Sequence, residues 1–563
     1  MHSFPPSLRA FLRGAVVLSV LVNALTMLTP IINEGDSVLY ATLAQQMVAS
    51  GNWMDLVLNG QDWLDKPHFP FWLGALFFKL FGISATSYIL PGFLFHLLGG
   101  YFTYRIARLL YGRDAGLLAL LLYVSTYHLM YTSSAIKAEA FLTGSITAAC
   151  YYWLRFDGQS RLKYLLLGAM FSAISVMTKG IFTLITISSG LVCLWLVQGQ
   201  WQKLWSAKWW LAIALSLLLT APELLALYRQ FDANPEKVVF GSQNVSGIRF
   251  FLWDSQIGRF FNTGPIKNQE GTPLYYVHVF VWAFLPWVAL FVAAMFQGLR
   301  NYATQSSARR TNFAFLCGAF FVTFALFSAT AFQLDYYTVI VFPFAIVLCA
   351  DYLTRWLTQQ GSNTFLAAQA GVTLLTLALV WGLAVYVARP VLLAGLGALT
   401  VAGLVLAWAT RQHARSFAVT LYPVVAVNLL YLFLECMTLS AYLRYSIPYN
   451  VLPWLRAQPL VPVVVYQLDP IVAWELGLYR STAPSTGASL ASQLPPSGTH
   501  YFLVGKTSDL ASLESVLGPT QALAQGSWVD HKTGTLPRQL DLAKGVEPLE
   551  AISVLEVGQR QSF

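Results

Sequence analysis

The chain has 563 residues, of which 56% are hydrophobic and only 10% are Asp, Glu, Lys or Arg. Soluble domains carry about 25% charged residues, and a mean hydropathy of +0.58 leaves too little charged surface to keep so long a chain dispersed in water. A soluble enzyme, a disordered chain and a fibrous protein are excluded, and the composition is that of a multi-span membrane protein.

A helix needs about 20 apolar residues to cross a bilayer. In chain order such segments fall near 11–30, 84–110, 113–131, 136–154, 162–178, 180–198, 207–228, 274–297, 312–331, 335–355, 364–386, 389–410 and 416–437, which predicts about 13 transmembrane helices. The first is not a cleaved signal peptide, because no small-residue cleavage site follows it and further spans do. With Arg9 and Arg13 inside, alternate loops hold Arg105, Arg108 and Arg113, then Arg155, Arg161 and Lys163, then Lys203 and Lys208. The series continues with Arg300, Arg309 and Arg310, then Arg355, then Arg411 and Arg415, while the opposite short loops hold only Lys137, Lys179 and Arg389. This asymmetry is the positive-inside pattern. It predicts a cytoplasmic N-terminus and, with an odd number of spans, an outer C-terminus. It also accounts for much of the formal charge of +9, so no nucleic-acid partner is expected. The five cysteines (Cys150, Cys193, Cys317, Cys349, Cys436) sit far apart in apolar runs and read as small core residues.

Three outer segments are long. The first, 31–83, contains an amphipathic stretch over 37–50 with Leu39, Leu43 and Met47 on one face, expected to lie along the membrane as an interfacial helix. The apolar run 69–78 is too short to span and is also expected at the interface. The second long segment is 229–273. From 445 onward Pro, Ser, Gly and charges return, with β-like runs at 463–466 and 501–504. The predicted organisation is therefore an all-α polytopic membrane domain over 1–444 and a small extracytoplasmic α/β domain over 445–563, about 115 residues and long enough for a modest core.

Ionisable groups at the outer ends of spans are the informative ones, since a charge at membrane depth is costly unless it faces protein or water. Asp36 follows span one, and Glu139 opens span four. Lys66 and Arg259 stand beside aromatic runs, where they either snorkel to lipid phosphates or hold a ligand whose phosphate lies at headgroup level. Lys179 is squeezed between two spans, where it can also cap a helix C-terminus. Asp55 and Asp62 sit in polar loop sequence and read as solvated acids. Acids and His68 share the first outer loop, but their spacing is no recognised ligand set. No obligatory metal or other cofactor is expected, and a divalent cation has no support in the sequence.

The run 36–41 (DSVLYA), then 47–53 (MVASGNW), 58–60 (LNG) and 65–72 (DKPHFPFW) resembles the first outer loop of a known family. Residues 108–117 (RLLYGRDAGL), 178–180 (TKG), Pro286-Trp287, Tyr337 and Pro343 continue the likeness. The family is the aminoarabinose-transferase and protein-mannosyltransferase-like group of GT-C glycosyltransferases. The resemblance implies a GT-C fold and transfer of a sugar from a polyprenyl-phosphate donor to a lipid A, lipopolysaccharide-type or other cell-envelope glycan at the outer face of a bacterial inner membrane, with the tail in the periplasm. It implies catalytic roles for Asp36, as general base or acceptor-orienting group, and for Glu139. It also implies substrate binding by Tyr40, Lys66, Lys137, Lys179, Arg259 and Tyr337. A lipid-linked donor needs no nucleotide loop, and the sequence has neither GxxxxGK[ST] nor a strand-borne GxGxxG. The chain departs from the family pattern in three places: Ser37 where an acid is common, His68 in place of the second proline of Lys-Pro-Pro, and Glu139 where Asp is usual. These departures leave the sugar and acceptor open. The competing expectations are a transferase for another glycan or for protein, and a lipid-linked sugar flippase. The second is disfavoured because transporters concentrate polar groups near the midplane, whereas here they gather at span ends.

Overall fold

The computed structural model describes residues 4–28, 35–58, 60–134, 137–267, 271–359, 361–409 and 411–445. Further on it describes 463–466, 468, 485–487, 500–511, 521–528 and 550–557. It is mostly helical. In chain order the helices are α1 (Pro6–Leu25), α2 (Gly35–Ser50), α3 (Phe69–Phe81), α4 (Ala85–Tyr111), α5 (Arg113–Val124), α6 (Tyr127–Ser134), α7 (Ala138–Gly158), α8 (Leu162–Lys179), α9 (Thr183–Val197), α10 (Ala207–Leu218) and α11 (Ala221–Leu227). There follow the single turn α12 (Gly247–Arg249), α13 (Ser255–Phe260), α14 (Tyr275–Ala283), α15 (Val288–Arg300), α16 (Ser307–Ser328), α17 (Phe342–Gln359), α18 (Asn363–Val387), α19 (Pro390–Ala409), α20 (Ala414–Ala418) and α21 (Leu421–Tyr445).

Among the described residues, five helical stretches are long and apolar enough to cross a membrane: 6–28, 162–179, 307–328, 335–359 and 363–387. Four more candidates are bent pairs, α5–α6 by 59°, α10–α11 by 42°, α14–α15 by 114° and the 411–418 stretch with α21 by 67°. The apolar segments near 113–131, 207–228, 274–297 and 416–437, read from the sequence as single spans, are therefore broken. The causes are local. Ser125 and Thr126 turn their hydroxyls back onto Leu121 O and Leu122 O, each at 2.6 Å, which competes with the backbone ladder and bends helices. Pro222 and Pro286 stand at two other breaks. Carbonyls freed at Pro286 find partners: Gln369 Nε2 donates to Pro286 O at 2.9 Å and Tyr127 N to Leu285 O at 2.9 Å. Such satisfaction is required wherever a helix is interrupted at membrane depth.

The core is built around α17, which is almost wholly buried and packs on α4, α5, α15 and α16. A second axis runs α4–α7–α8, with α9 against α16. Small residues set the close approaches. A side chain on Gly144 of α7 would run into the Phe95 carbonyl of α4, and one on Gly190 of α9 would lie 2.8 Å from the Phe315 carbonyl of α16.

The interfacial placement expected for 37–50 is corrected by the packing. Helix α2 is enclosed, with Val38, Tyr40, Ala41, Leu43, Ala44 and Met47 buried in a cluster with Phe71, Ala75 and Phe78 of α3 and Tyr88 of α4. The Leu39–Leu43–Met47 stripe is only one apolar face, and Val38, Ala41 and Ala44 supply another that the first-loop helix α3 covers. The short hairpin of β1 (Val57–Leu58) and β2 (Gln61–Asp62) follows α2.

In the tail, β3 (Val463–Tyr466), β4 (Ser485–Gly487), β5 (Tyr501–Lys506), β6 (Gln521–Trp528) and β7 (Glu550–Val557) form one mixed sheet in the order β4-β3-β5-β7-β6. β3 pairs parallel with β4 and β5, while β5–β7 and β6–β7 are antiparallel. Val463–Val465 and Tyr501–Val504 are buried, as a sheet covered on a face requires. A short helix, Thr507–Ala511, follows β5, and apart from Tyr445, Leu468 and His500 the rest of the segment 445–563 lies outside the described residues.

The Gly144 contact gives a direct check. Gly144→Ala should destabilise the protein by about 1–3 kcal/mol through overpacking, read as a lower melting temperature in detergent. Gly14→Ala, where nothing lies within 4 Å, should leave it unchanged or slightly raised.

Candidate active site

Helix α7 begins just after Lys137, which is in extended backbone, and places Glu139 in its first turn. Helix α8 ends at Lys179 because Gly180 follows at φ +118°, a conformation that glycine adopts readily. The two ends meet, and the buried Lys179 ammonium is ion-paired to the buried Glu139 carboxylate. An acid at a helix start and a cation at a helix finish each complement the local peptide dipoles.

The Asp335–Val341 turn, which leads into α17, lies over this junction. Lys179 Nζ sits 3.8 Å from the Tyr337 ring centre and 5.7 Å from that of Tyr336. Lys137 Nζ is 4.2 Å from Tyr336 and 4.9 Å from Tyr131. These are cation–π distances. On the other side Asp65 bridges two cations, bonded to Lys66 at 2.5 Å and to Arg259 of α13. Burial alone would push the Asp65 carboxyl up, but Lys66 and Arg259 together outweigh it and hold it below its usual range. Arg259 also faces the Phe332 ring at 5.7 Å, and its buried Nε has no hydrogen-bond partner among the described residues.

Three adjoining cavities share these side chains. One is lined by Tyr40, Lys66, Lys137, Glu139, Lys179, Tyr336 and Tyr337. The next has Asp65, Lys66, Lys179, Phe250, Ser255 and Arg259 in its walls. The third, the largest of the three at about 90 Å³, joins Lys179, Arg259 and Tyr337 to hydrocarbon walls of Phe182, Phe260, Leu326, Phe327 and Phe332. Lys179 borders all three.

Seven residues singled out from the sequence thus come together: Tyr40, Lys66, Lys137, Glu139, Lys179, Arg259 and Tyr337. Asp36 is the second residue of α2, one helical turn before Tyr40, and its side chain lies outside the described residues. Asp62, read as a solvated acid, is instead tied to Lys237 and Gln230, each at 2.9 Å.

Sequence reasoning passed over Asp65 and Tyr336, each adjacent to a residue it did name. It also missed what His68 does. His68 N and Nδ1 lie 2.9 Å from the two Glu223 oxygens, and Nε2 lies 3.1 Å from Met54 O. Both side chains are fully buried. The ring is thereby bonded on both sides, Nδ1 to the Glu223 carboxyl and Nε2 to the Met54 carbonyl. Gln230 acts beside it, bonding Leu56 N at 2.9 Å and Leu56 O at 2.8 Å. Together they pin the first outer loop to the 221–232 segment. The visible signal was His68 itself, an imidazole two residues from Lys66. Among the described residues no three His, Cys, Asp or Glu side chains form a metal-binding group.

Known proteins resemble the chain in sequence and in fold. The family described as dolichyl-phosphate-mannose-protein mannosyltransferase matches residues 65–225. An undecaprenyl phosphate-alpha-4-amino-4-deoxy-L-arabinose arabinosyl transferase of Edwardsiella ictaluri is 27% identical over 336 residues, covering 58% of this chain and 56% of that one. A second such transferase, from Proteus mirabilis, is 24% identical over 397 residues, 67% and 68% of the two chains. The first match thus spans little more than half of the relative's length. Among solved structures, ArnT from Cupriavidus metallidurans bound to undecaprenyl phosphate superimposes with a TM-score of 0.71 at 16% identity, over 97% of this chain and 98% of that chain. The chain thus shares its fold with ArnT, and residues 65–225 match the mannosyltransferase family. In sequence the chain is similar to these arabinosyl transferases over the stretches given.

Two outcomes are expected. Glu223→Leu and His68→Pro should each weaken the loop attachment, and the double variant should be less destabilised than the sum of the two, because each single change leaves a buried polar partner unsatisfied; chemical denaturation of the four proteins reads this. For Asp65 the ion pairs stabilise the protein fully above the ordinary carboxylate value near 4 and are lost as pH falls through the lowered one. Wild type and Asp65→Asn should therefore differ in melting temperature above about pH 5, and the difference should shrink as pH falls below the ordinary carboxylate value.

Proposed function

We propose that this protein moves a sugar from a polyprenyl-phosphate donor to a lipid A or lipopolysaccharide-type glycolipid at the outer face of the bacterial inner membrane. The observation that carries the reading is the shape and chemistry of the cavity group. Lys66, Lys137, Lys179 and Arg259 gather at one end against the carboxylates Asp65 and Glu139, and the largest cavity leads from Lys179 and Arg259 along Phe182, Leu326, Phe327 and Phe332. A phosphate on a long hydrocarbon tail has this distribution of charge and grease. Supporting it are the relatives, named as undecaprenyl-phosphate-linked arabinosyl transferases, and the similar fold of a protein solved with undecaprenyl phosphate bound.

In this reading the donor phosphate is the leaving group. Charge grows on it as the glycosidic bond breaks, and Lys66 and Arg259 stabilise that charge in a site shielded from water. The buried Nε of Arg259 offers a further donor. Glu139 is spoken for by Lys179, so its role is to hold that ammonium against Tyr337 while keeping the junction neutral. Asp36 is the general base if the acceptor attacks through a hydroxyl. It orients the acceptor if the attacking group is a phosphate oxygen, which has no proton to lose. No metal is assigned a step.

The proposed topology has thirteen spans over 1–444, a cytoplasmic N-terminus, outer loops at 31–83 and 229–273, and a periplasmic α/β domain over 445–563 that contains the five-stranded sheet. The basic residues at the ends of the helices away from Glu139 support this orientation.

The test is transfer from a radiolabelled polyprenyl-phosphate sugar to envelope glycolipid in proteoliposomes. Asp36→Asn should abolish transfer with membrane expression unchanged, and retained activity would overturn its role. Lys66→Met and Arg259→Met should raise the donor KM about 10–100-fold, as loss of a charged hydrogen bond implies.

A further inference from the structure

At the end of the bundle away from Glu139, the finish of α4, the finish of α7 and the start of α8 bring together cations of an unusual kind. Some cations at this end are matched by acids: Arg9 with Asp114 at 2.8 Å, Lys203 with Asp157 at 2.6 Å, and Arg309 and Arg355 with Asp351 at 3.1 and 2.9 Å. Others are not: Arg108 donates to the Tyr104 hydroxyl at 3.1 Å and Lys208 to Phe156 O at 2.9 Å. Arg105, Arg155 and Lys163 take part in no ion pair among the described residues. Tyrosines back them instead. Arg105 donates to the hydroxyls of Tyr101 and, at 2.5 Å, Tyr151, with its guanidinium carbon 4.8 Å from the Tyr151 ring centre. Arg155 donates to the Tyr164 hydroxyl at 2.8 Å and lies 5.1 Å from that ring, and Lys163 Nζ is 5.2 Å from it. The Tyr152 ring joins the two groups, 5.3 Å from Tyr151 and 6.4 Å from Tyr164.

A generic excess of basic residues explains exposed cations that snorkel. It does not explain guanidiniums held in place by phenols and left without a carboxylate. A phenol that accepts from arginine still has its own O–H to give, so each Arg–Tyr unit presents several donors and a positive charge to one side. That is the chemistry of phosphate recognition. Leading away from it along α8, Leu162, Leu166 and Met170 are spaced four apart on one face and are 67%, 47% and 39% exposed, an apolar track for an acyl chain.

We propose that Arg105, Arg155 and Lys163, with Tyr151 and Tyr164, bind the phosphodiester headgroup of an anionic phospholipid in the leaflet opposite the candidate active site. Basic pockets between membrane helices on one face are suited to such headgroups. The site is independent of the transfer reaction proposed above, and its test does not use it.

Full-length protein in neutral detergent is titrated with phosphatidylglycerol, phosphatidylcholine or inorganic phosphate while melting temperature and lipid retention by native mass spectrometry are followed. Phosphatidylglycerol should raise the melting temperature and remain bound, and the other two should not. Arg105→Gln/Arg155→Gln should weaken phosphatidylglycerol binding about tenfold or more, at roughly fivefold per cation lost. Tyr151→Phe/Tyr164→Phe keeps every ring, removes the hydroxyls, and should weaken it severalfold; it decides the matter if the arginine variant does not fold. Equal stabilisation by phosphatidylcholine, stabilisation by phosphate alone, or unchanged binding in the tyrosine variant would each overturn the assignment.

Discussion

Helices α7 and α8 meet start to finish at the candidate site, and the Glu139–Lys179 ion pair closes that junction. Taking either charge out of water alone would cost several kcal/mol, and removing one partner from such a pair leaves the other uncompensated. The arrangement is tolerable because three separate effects favour it: the opposite charge, the dipoles of the two helix ends, and the Tyr337 face 3.8 Å below the ammonium. Each depends on the backbone placement of the others. Gly180 stops α8 where the ammonium reaches α7, and the Asp335–Val341 turn can lie over the junction only because α17 is anchored in the core beneath it.

Around that junction the outer loops are not loose cover. Asp65 draws Lys66 and Arg259 to one point across 194 residues of sequence, and His68 and Gln230 fasten the same loop to the 221–232 segment. The polar residues at this face thus form a continuous set of contacts, and the hydrocarbon-lined cavity opens beside it.

Much of this was legible in the sequence, for a physical reason. In a chain with so few charges, each one that sits at the end of an apolar run is expensive enough to demand a purpose, so Glu139, Lys66, Lys179 and Arg259 stood out individually. The apolar segments themselves are helical where they were expected. What the sequence could not supply was partnership. Nothing local says that Asp65 meets Arg259, that Glu139 meets Lys179, or that His68 bonds Glu223, since each pairing is made by helix packing between segments far apart. The bends escaped for a related reason. Hydropathy averages over a window, whereas the breaks are made by single residues such as Thr126 and Pro286. The enclosure of α2 escaped because an apolar stripe does not say whether lipid or protein covers it.

One consequence follows from Lys179 forming part of the wall of all three cavities. A single ammonium held between three compartments cannot serve two anions at full strength. On the proposed reading, whichever phosphate arrived first would lower the field felt by the next, so occupancy of one compartment would make the others less attractive to charge. Departure of a charged product would restore the field. A shared cation would in that case make the order of arrivals and departures an electrostatic matter, needing no moving part.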